Sequence, residues 1–384
     1  MLNPRKTLRI LYATTFLFSI HMALTSYINS SFLGTFINTK FVGLIYTITS
    51  TLAILILFEM PRILKRFGNY RTISFLLFIN IISLFLLSIL NVKLFIIPIF
   101  IIYLSTINLI MASIDVFVED FSAKKATGNI RGIFLTVLNS AWVIAQLAMG
   151  FFASKISYSG LYAISFFFVI IVFFVVQLKF KKFEDPIYKK IPIKETIAKI
   201  LQNKHVGKIY ASNFLLQFFY VWMIIYTPIY LNQNMGFEWS KIGIIFTMML
   251  LPFVILQLPL GRLSDKIGEK KLLKLGFLLI IIATISLAFI NSKNILIWGI
   301  ILFATRVGAS IIEVMNESYF FKQITARDAD VISFFRNASP TAYIIAPIIA
   351  TPFLIFSPFK FIFIFLGLIM TLGLYFSFTI KDTK

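Results

Sequence analysis

Residues 261–271 read Gly261-Arg262-Leu263-Ser264-Asp265-Lys266-Ile267-Gly268-Glu269-Lys270-Lys271. Apolar segments at 240–260 and 272–291 lie directly before and after this short charged stretch. An apolar run of about 20 residues is long enough to cross a bilayer as a helix. We therefore predict that the stretch is a tight loop between two membrane-spanning helices. The same pattern of apolar segment and short loop recurs along the rest of the chain.

The composition of the whole chain is typical of a membrane protein. Of its 384 residues, 59% are hydrophobic and only 13% are charged, whereas soluble domains contain about 25% charged residues. The chain has no cysteine and two histidines, which excludes disulfides, thiolate catalysis and cysteine-based metal sites. We expect no metal site and no cofactor. The sequence also lacks a G-x-x-x-x-G-K-[S/T] loop, so ATP is not the expected energy source.

Twelve apolar segments have the length of a membrane span. They lie at 9–34, 41–60, 72–91, 94–118, 130–153, 158–178, 207–232, 240–260, 272–291, 294–318, 329–354 and 359–380. The loops between them are too short to hold a separate soluble domain. The sequence therefore predicts an all-α membrane protein with twelve transmembrane helices.

The positions of the basic residues give the orientation of these spans. The chain carries 36 Lys and Arg against 15 Asp and Glu, a formal net charge of +21. With the N-terminus inside, 28 basic residues fall in inside segments, six fall singly in outside loops, and Arg306 and Arg336 lie within spans. Cytoplasmic loops of membrane proteins are enriched in Lys and Arg. We therefore expect a multi-pass protein of the cell membrane with both termini cytoplasmic, and no nucleic-acid partner.

The two halves of the chain repeat at an offset of about 200 residues. The segment Val42-Gly43-Leu44-Ile45-Tyr46-Thr47 recurs as Ile242-Gly243-Ile244-Ile245-Phe246-Thr247, and Asp115 and Glu119 match Glu313 and Glu317. Six spans separate matching positions, so both copies have the same orientation in the membrane. Parallel repeats of this kind are found in transporters.

The repeat divides the chain into three parts. Residues 1–178 form an N-terminal six-helix bundle, 179–206 a cytoplasmic linker, and 207–384 a C-terminal six-helix bundle. The linker is rich in lysine, and its apolar residues from Ile193 to Leu201 share one helical face. It is either a short helix on the inner leaflet or a solvated connection.

The stretch at 261–271 resembles the loop motif of the major facilitator superfamily, G-x-x-x-D-[R/K]-x-G-[R/K]-[R/K]. The resemblance covers the whole chain and implies two six-helix bundles that rock around a cavity at the middle of the membrane. Glu269 departs from the motif, which usually has a basic residue at that position. The resemblance implies a gating role for the residues that match the motif or its first copy. They are Gly261, Arg262, Asp265, Lys266, Gly268, Lys270, Lys271, Arg62 and Gly68.

The first copy of the motif is degraded. Pro61 replaces its first glycine and Lys65 replaces its aspartate. Glu59 lies close by and could take the place of the missing aspartate. Alternatively, Glu59 is an interfacial carboxylate balanced by Arg62 and Arg66.

Charged residues within spans need a functional or structural reason, because each costs roughly 2.5–3.5 kcal/mol on insertion scales. Arg306 lies near mid-depth, about 16 Å along its helix. It is predicted either to receive a substrate carboxylate or phosphate, or to contact backbone carbonyls or Glu313. Glu313 and Arg336 lie at matching depth on consecutive helices. We predict that they pair, either as a static salt bridge or as a pair that breaks during transport.

Other polar residues within the spans are candidates for proton transfer or solute binding. His21 lies near mid-depth and shares a helical face with Thr25 and Asn29; it is either a proton site or a neutral structural histidine. Asp115 is a second candidate proton site, or it neutralises nearby basic residues. On the superfamily resemblance, the remaining cavity-facing residues are Asn108, Asn139, Trp142, Gln146, Gln217, Trp222 and Tyr226.

We therefore predict a secondary active transporter that moves a small organic solute by alternating access, and not an enzyme. Proton coupling is expected, and proton antiport with export of an amphiphilic, anionic or zwitterionic compound is favoured. A sugar or metabolite importer or uniporter of the same fold, and a transporter-like sensor or lipid flippase, remain alternatives. A membrane enzyme for prenyl or lipid substrates would need a D-D-x-x-D-type cluster, which the sequence lacks. The expected partners are the solute, protons and the bilayer, and the expected state is a monomer.

Overall fold

The protein is represented by a computed structural model that describes residues 4–120, 127–186, 204–323, 335 and 337–381. Within these ranges the chain forms helices joined by short connections and contains no β-strand. The helices fall into two compact units, Met1–Lys190 and Ile191–Lys384, which we call the N-terminal unit and the C-terminal unit. The predicted helix or connection at 193–201, and the rest of 187–203, lie outside the described residues.

The N-terminal unit contains seven described helices, two of which, α1 and α2, together form the first span. They are α1 (Pro4–Ser26), α2 (Asn29–Gly34), α3 (Val42–Phe67), α4 (Asn69–Ile89), α5 (Lys93–Asp120), α6 (Thr127–Ala153) and α7 (Tyr158–Lys179). A 3-10 turn, Thr39–Phe41, precedes α3.

The C-terminal unit contains seven described helices in the same order, with the eighth span divided between α9 and α10. They are α8 (Lys204–Ile229), α9 (Trp239–Ile255), α10 (Gln257–Ile267), α11 (Glu269–Leu287), α12 (Ile295–Gln323), α13 (Ala338–Phe356) and α14 (Ile362–Thr379). A π-helical turn, Tyr230–Asn234, extends α8, and a 3-10 turn, Phe359–Phe361, precedes α14.

Each of the twelve predicted spans contains a helix. Ten described segments are long and apolar enough to cross a membrane, and the shorter apolar helix Trp239–Ile255 adds to them. The remaining span, α11, is 19 residues long and carries its charges, Glu269, Lys270, Lys271 and Lys274, in its first two turns. The prediction of an all-α membrane protein with twelve spans is confirmed.

The two units use the same helix pairs, which is the structural form of the sequence repeat. In the N-terminal unit α1 packs against α6 and α7, α4 packs against α5 and α7, and α3 packs against α5. In the C-terminal unit α8 packs against α13 and α14, α11 packs against α12 and α14, and α9 packs against α12. Each pair in one unit has its counterpart in the other, so the second unit repeats the first in the same chain direction.

The first span differs from the single helix expected over 9–34. Helix α1 ends at Ser26, and α2 begins at Asn29 after a turn. The hydroxyl of Ser26 donates to the Met22 carbonyl at 2.7 Å, and the Thr25 hydroxyl lies 3.1 Å from the same carbonyl. Hydroxyls that bond back to the helix compete with its ladder and favour a bend or an end.

Two glycines make the corners between the second and third spans of each unit. Gly68 has φ 77° and Gly268 has φ 82°, values that residues with a Cβ rarely adopt. The helices on either side end and begin directly at these residues. The glycine kept in both copies of the motif therefore forms the sharp corner of the loop.

Candidate functional site

The N-terminal unit holds a buried polar cluster around His21. The His21 ring lies 5.3 Å from the Phe18 ring and 5.9 Å from the Tyr103 ring, measured between centroids. The side chain is fully buried, and neither ring nitrogen has a hydrogen-bond partner among the described residues. Helix α5 therefore contributes a wall of this site through Tyr103.

Tyrosines on α5 and α7 connect His21 to the other predicted residues of the first span. The Thr25 and Tyr103 hydroxyls lie 2.8 Å apart, and the Tyr162 hydroxyl donates to Asn29 Oδ1 at 2.7 Å. The two tyrosine rings lie 6.0 Å apart. Although the helix breaks between Thr25 and Asn29, these contacts bring the two predicted side chains into one cluster with His21.

Gln146 also belongs to the interior of the N-terminal unit. Its amide Nε2 donates to the Ala23 carbonyl at 3.1 Å, and its side chain is fully buried. Trp142, one turn earlier on α6, is half-buried and makes an edge contact with Tyr27 at 6.2 Å. Both residues therefore join α6 to the first span.

The remaining predicted residues of this unit lie apart from the His21 cluster. Asn108 is exposed, and its amide lies 3.5 Å from the Leu104 carbonyl of its own helix. Asn139 is half-buried on α6, and Asp115 is half-buried near the end of α5. The structure does not place these three side chains in contact with His21.

In the C-terminal unit Arg306 is almost fully buried, with 2% of its surface exposed. Its guanidinium carbon lies 5.4 Å from the centre of the Phe219 ring and 5.2 Å from the centre of the Tyr220 ring. Both distances are within the roughly 6 Å range of cation–π attraction. Within the described chain, no carboxylate pairs with Arg306, and its Nε has no hydrogen-bond acceptor.

Tyr220 also contacts Glu313, which lies two turns beyond Arg306 on α12. The Tyr220 hydroxyl donates to Glu313 Oε2 at 3.2 Å. Tyr220 therefore touches both charged residues, its ring facing Arg306 and its hydroxyl facing Glu313. The side chain of Arg336 lies outside the described residues, so its pairing with Glu313 stays a prediction.

Trp222 and Tyr226 lie in the aromatic interior of the C-terminal unit. Trp222 contacts Phe218 at 5.3 Å, Tyr226 at 5.6 Å and Phe365 at 6.0 Å, between ring centroids. Both predicted residues are fully buried, whereas Gln217 on α8 is half-buried. The contacts of Trp222 and Tyr226 are therefore with their own unit.

The motif loop presents its basic residues outward. Arg262, Lys266 and Lys271 are exposed, and Lys270 is half-buried. An added Cβ at Gly261 would meet no other atom within 4 Å, so no close approach explains that glycine. The side chain of Asp265 lies outside the described residues, and its gating role stays a prediction.

Glu269, which departs from the motif, is the first residue of α11 and is fully buried. Its Oε1 accepts from Lys322 Nζ at 2.6 Å and from the Ser318 hydroxyl at 3.0 Å. The lysine side chain is 37% exposed. This ion pair joins the start of α11 to the end of α12, so a position expected to be a basic loop residue is instead an internal contact.

The matching corner of the N-terminal unit uses an aspartate from a distant part of the chain. Asp185, after α7, accepts from the backbone N–H of Asn69 at 2.7 Å, and the Asn69 amide donates to the Ser113 carbonyl at 2.9 Å. A carboxylate at a helix N-terminus is favourable because the N–H groups there lack partners. Asp185 therefore holds the start of α4, beside Gly68.

Glu59 forms an ion pair with Arg62 at 2.5 Å. More than half of each side chain is exposed, and pairs of this kind contribute about 0–1 kcal/mol to stability. The geometry agrees with an interfacial carboxylate balanced by a neighbouring arginine.

Sequence reasoning missed Phe219, Tyr220, Tyr103, Tyr162 and Asp185. The aromatic residues gave little signal because 17% of the chain is Phe, Trp or Tyr. Asp185 gave none, because its partner lies 116 residues away. Among the described side chains, no group of three His, Cys, Asp or Glu could hold a metal ion.

Comparison with solved structures places the fold among transporters. The nucleoside transporter NupG matches with a TM-score of 0.76 at 11% identity, covering 97% of this chain and 98% of that one. A bacterial homologue of the human lysosomal transporter Spinster matches at 0.75 and 13%, covering 98% and 96%. A peptide transporter, POT, in complex with sulfate matches at 0.73 and 14%, covering 97% and 93%.

Comparison of the sequence with family profiles identifies the family. No curated protein matches the sequence significantly. A profile described as Major Facilitator Superfamily matches residues 10–337 and 228–384, which together span almost the whole chain. With two repeated six-helix units and transporters as structural neighbours, the chain is a multi-pass membrane transporter, not an enzyme, and it belongs to the Major Facilitator Superfamily.

Proposed function

We propose that the protein is a secondary active transporter that carries a small organic solute across the cell membrane by alternating access. The observation that carries this proposal is the repetition of the same helix pairs in two six-helix units. Parallel repeats allow two similar bodies to rock against each other and expose a site first to one side and then to the other. The positions of the lysines and arginines support cytoplasmic termini.

Protons are the proposed coupling ion, and export by antiport is the proposed direction. His21 is proposed as the first carrier because histidine titrates nearest to neutral pH and this one lies beside Tyr103, in a polar cluster with Thr25. Glu313, half-buried and bonded to Tyr220, is the second carrier. Asp115, half-buried near the end of α5, is the third.

The proposed solute carries an anionic or zwitterionic group and an amphiphilic body. Arg306 supports the charged group, since it is buried without a carboxylate partner in the described chain. The aromatic side chains of α8 support the apolar part. The protein is proposed to act as a monomer.

Transport is tested with the purified chain in proteoliposomes. A thermal-shift screen of metabolites and antibiotics first gives a stabilising compound, and a radiolabelled form of that compound is then added outside vesicles loaded with the unlabelled compound. The proposal predicts a transient overshoot of label inside, as expected for exchange through one alternating site. Binding without any exchange would overturn the transport proposal and favour a sensor.

Proton coupling is tested in the same vesicles. An imposed pH gradient should drive accumulation of the compound, and the protonophore CCCP should abolish it. The His21→Gln, Asp115→Asn and Glu313→Gln variants identify the carrier, with the exposed carboxylate variant Glu59→Gln as the matched control. Accumulation that persists with CCCP but requires sodium would contradict proton coupling and leave transport intact.

A further inference from the structure

Arg306 is a buried cation of the C-terminal unit whose Nε has no hydrogen-bond acceptor among the described residues. It lies eleven residues beyond the start of the 29-residue helix α12, close to its middle. Only 2% of the residue is exposed, so its charge is largely removed from bulk water. A cation at the centre of a membrane helix is unfavourable unless something compensates it.

Among the described residues of this unit, the charge is compensated by aromatic faces. The rings of Phe219 and Tyr220, both on α8, have their centres 5.4 Å and 5.2 Å from the guanidinium carbon. A cation–π contact is stronger when the cation is removed from water. Aromatic rings attract the charge, but they do not supply the oxygen acceptors that an N–H edge binds best.

The N–H edge of the guanidinium is therefore open to a ligand. Arginine has five N–H donors and no acceptor, and in the described chain the buried Nε of Arg306 has no hydrogen-bond partner. Glu313, the carboxylate two turns along the same helix, accepts the Tyr220 hydroxyl instead. The rings contact the guanidinium but do not accept its N–H groups as an oxygen would. Such a guanidinium can donate two parallel hydrogen bonds to one oxyanion.

We infer that Arg306, held by Phe219 and Tyr220, binds the carboxylate or phosphate group of the ligand in a two-bond, side-on contact. The inference rests on the proposed transport function, because it names the chemical class of the solute. The anion has two possible sources, a soluble organic acid or phosphate ester, and the headgroup of an anionic lipid. Tyr220 is a positioning residue, since its ring supports the guanidinium while its hydroxyl is bonded to Glu313.

The experiment measures anion binding separately from transport. The full-length protein is placed in nanodiscs of phosphatidylcholine, and its thermal midpoint is followed during titration with acetate, benzoate and inorganic phosphate, with benzamide as the neutral match to benzoate. We expect at least one anion, and not benzamide, to raise the midpoint. In the Arg306→Gln variant the apparent affinity for that anion should fall at least tenfold.

Further variants separate an anion site from a loss of folding. Arg306→Lys keeps the charge but loses the planar fork, so it should bind the anion more weakly than the wild type and more tightly than Arg306→Gln. Tyr220→Leu removes the ring that supports the guanidinium, so it should bind the anion more weakly than the wild type. Lys241→Gln, which removes an exposed lysine of the same unit, should leave binding unchanged.

Nanodiscs that contain phosphatidylglycerol distinguish the two sources. If the soluble anion no longer stabilises the wild type there, but does so in phosphatidylcholine, the lipid headgroup occupies Arg306. If the effect persists, the site selects a soluble anion. Equal responses of the wild type and Arg306→Gln to every anion would overturn the inference. Anion binding without exchange in vesicles would instead overturn transport and leave the anion site standing.

Discussion

Replacing Lys322 with methionine should destabilise the C-terminal unit more than replacing its partner, Glu269, with glutamine. The prediction follows from the unequal exposure of the two side chains, since the lysine is 37% exposed and the glutamate is fully buried. Without Lys322, the carboxylate keeps the Ser318 hydroxyl, 3.0 Å away, but loses the ammonium group 2.6 Å away. Without the carboxylate, the lysine can still turn its amine toward water.

The size of each effect can be worked from these contacts. Removing one partner of a buried ion pair costs roughly 3–5 kcal/mol, and the partial exposure of Lys322 places its loss near the lower end, at about 3 kcal/mol. For a unit of this size about 1 kcal/mol shifts the thermal midpoint by about 2–4 °C, so the Lys322→Met variant should melt about 6–12 °C lower. In Glu269→Gln the amide oxygen can still accept from Lys322 and Ser318, but the negative charge is gone. The variant should be less stable by about 1.5 kcal/mol, the lower value for a hydrogen bond to a charged group.

The double variant gives the sharpest comparison. Combining Glu269→Gln with Lys322→Met also removes the buried carboxylate that has lost its lysine, so the double variant should melt at a higher temperature than Lys322→Met alone. Melting is followed by size-exclusion chromatography after heating in detergent, with Lys266→Met, an exposed lysine of the same loop, as the control. A Lys322→Met midpoint equal to that of the control, or a double variant with additive losses, would refute the argument.

Three further predictions concern the N-terminal unit, and all are measured as thermal midpoints. Asp185→Asn should lower stability by about 1 kcal/mol, because a neutral amide caps a helix start less well than a carboxylate. An unchanged midpoint would show that the bond from the Asn69 N–H to Asp185 does not stabilise the unit. Gly68→Ala should cost more than 1 kcal/mol, since φ is 77° and a Cβ would collide with the Asp185 carboxylate, and a neutral result would contradict the corner geometry. Thr25→Val should cost about 1–3 kcal/mol, because it leaves the buried Tyr103 hydroxyl without its partner. Tyr103→Phe should cost less, and the reverse order would exclude this bond.

The fold could be predicted because its determinants are local in sequence. Apolar length placed several spans to within a few residues, as for α11, predicted at 272–291 and observed at Glu269–Leu287. Helix α3 ends at Phe67, seven residues beyond the predicted end of the second span at 60. The sequence placed the motif loop at 261–271 between two spans, and the glycines that form the corners there and in the first copy, Gly268 and Gly68, have positive φ. The break after Ser26 was missed, because the apolar run continues across it and only the hydroxyls of Thr25 and Ser26 mark the end.

The contacts of the site could not be predicted in the same way. Glu269 was read as a departure from a basic loop position, and nothing in one sequence indicates that Lys322, 53 residues later, reaches it. Depth along a helix placed Arg306 near the middle of its span, but depth does not say which aromatic residues face it. Phe219 and Tyr220 are two of many aromatic side chains on α8, and only packing between helices distinguishes them.

Alternating access is tested most directly by labelling single cysteines, since the natural chain contains none. Gln217→Cys and Asn108→Cys place a thiol near the middle of α8 and α5, and Leu368→Cys, an exposed apolar position of α14, is the control expected to face lipid. A membrane-impermeant maleimide is applied to right-side-out and to inverted vesicles. The account predicts that both polar positions react from either side of the membrane and that Leu368→Cys reacts from neither. Reaction from one side alone, or from neither side, would contradict it.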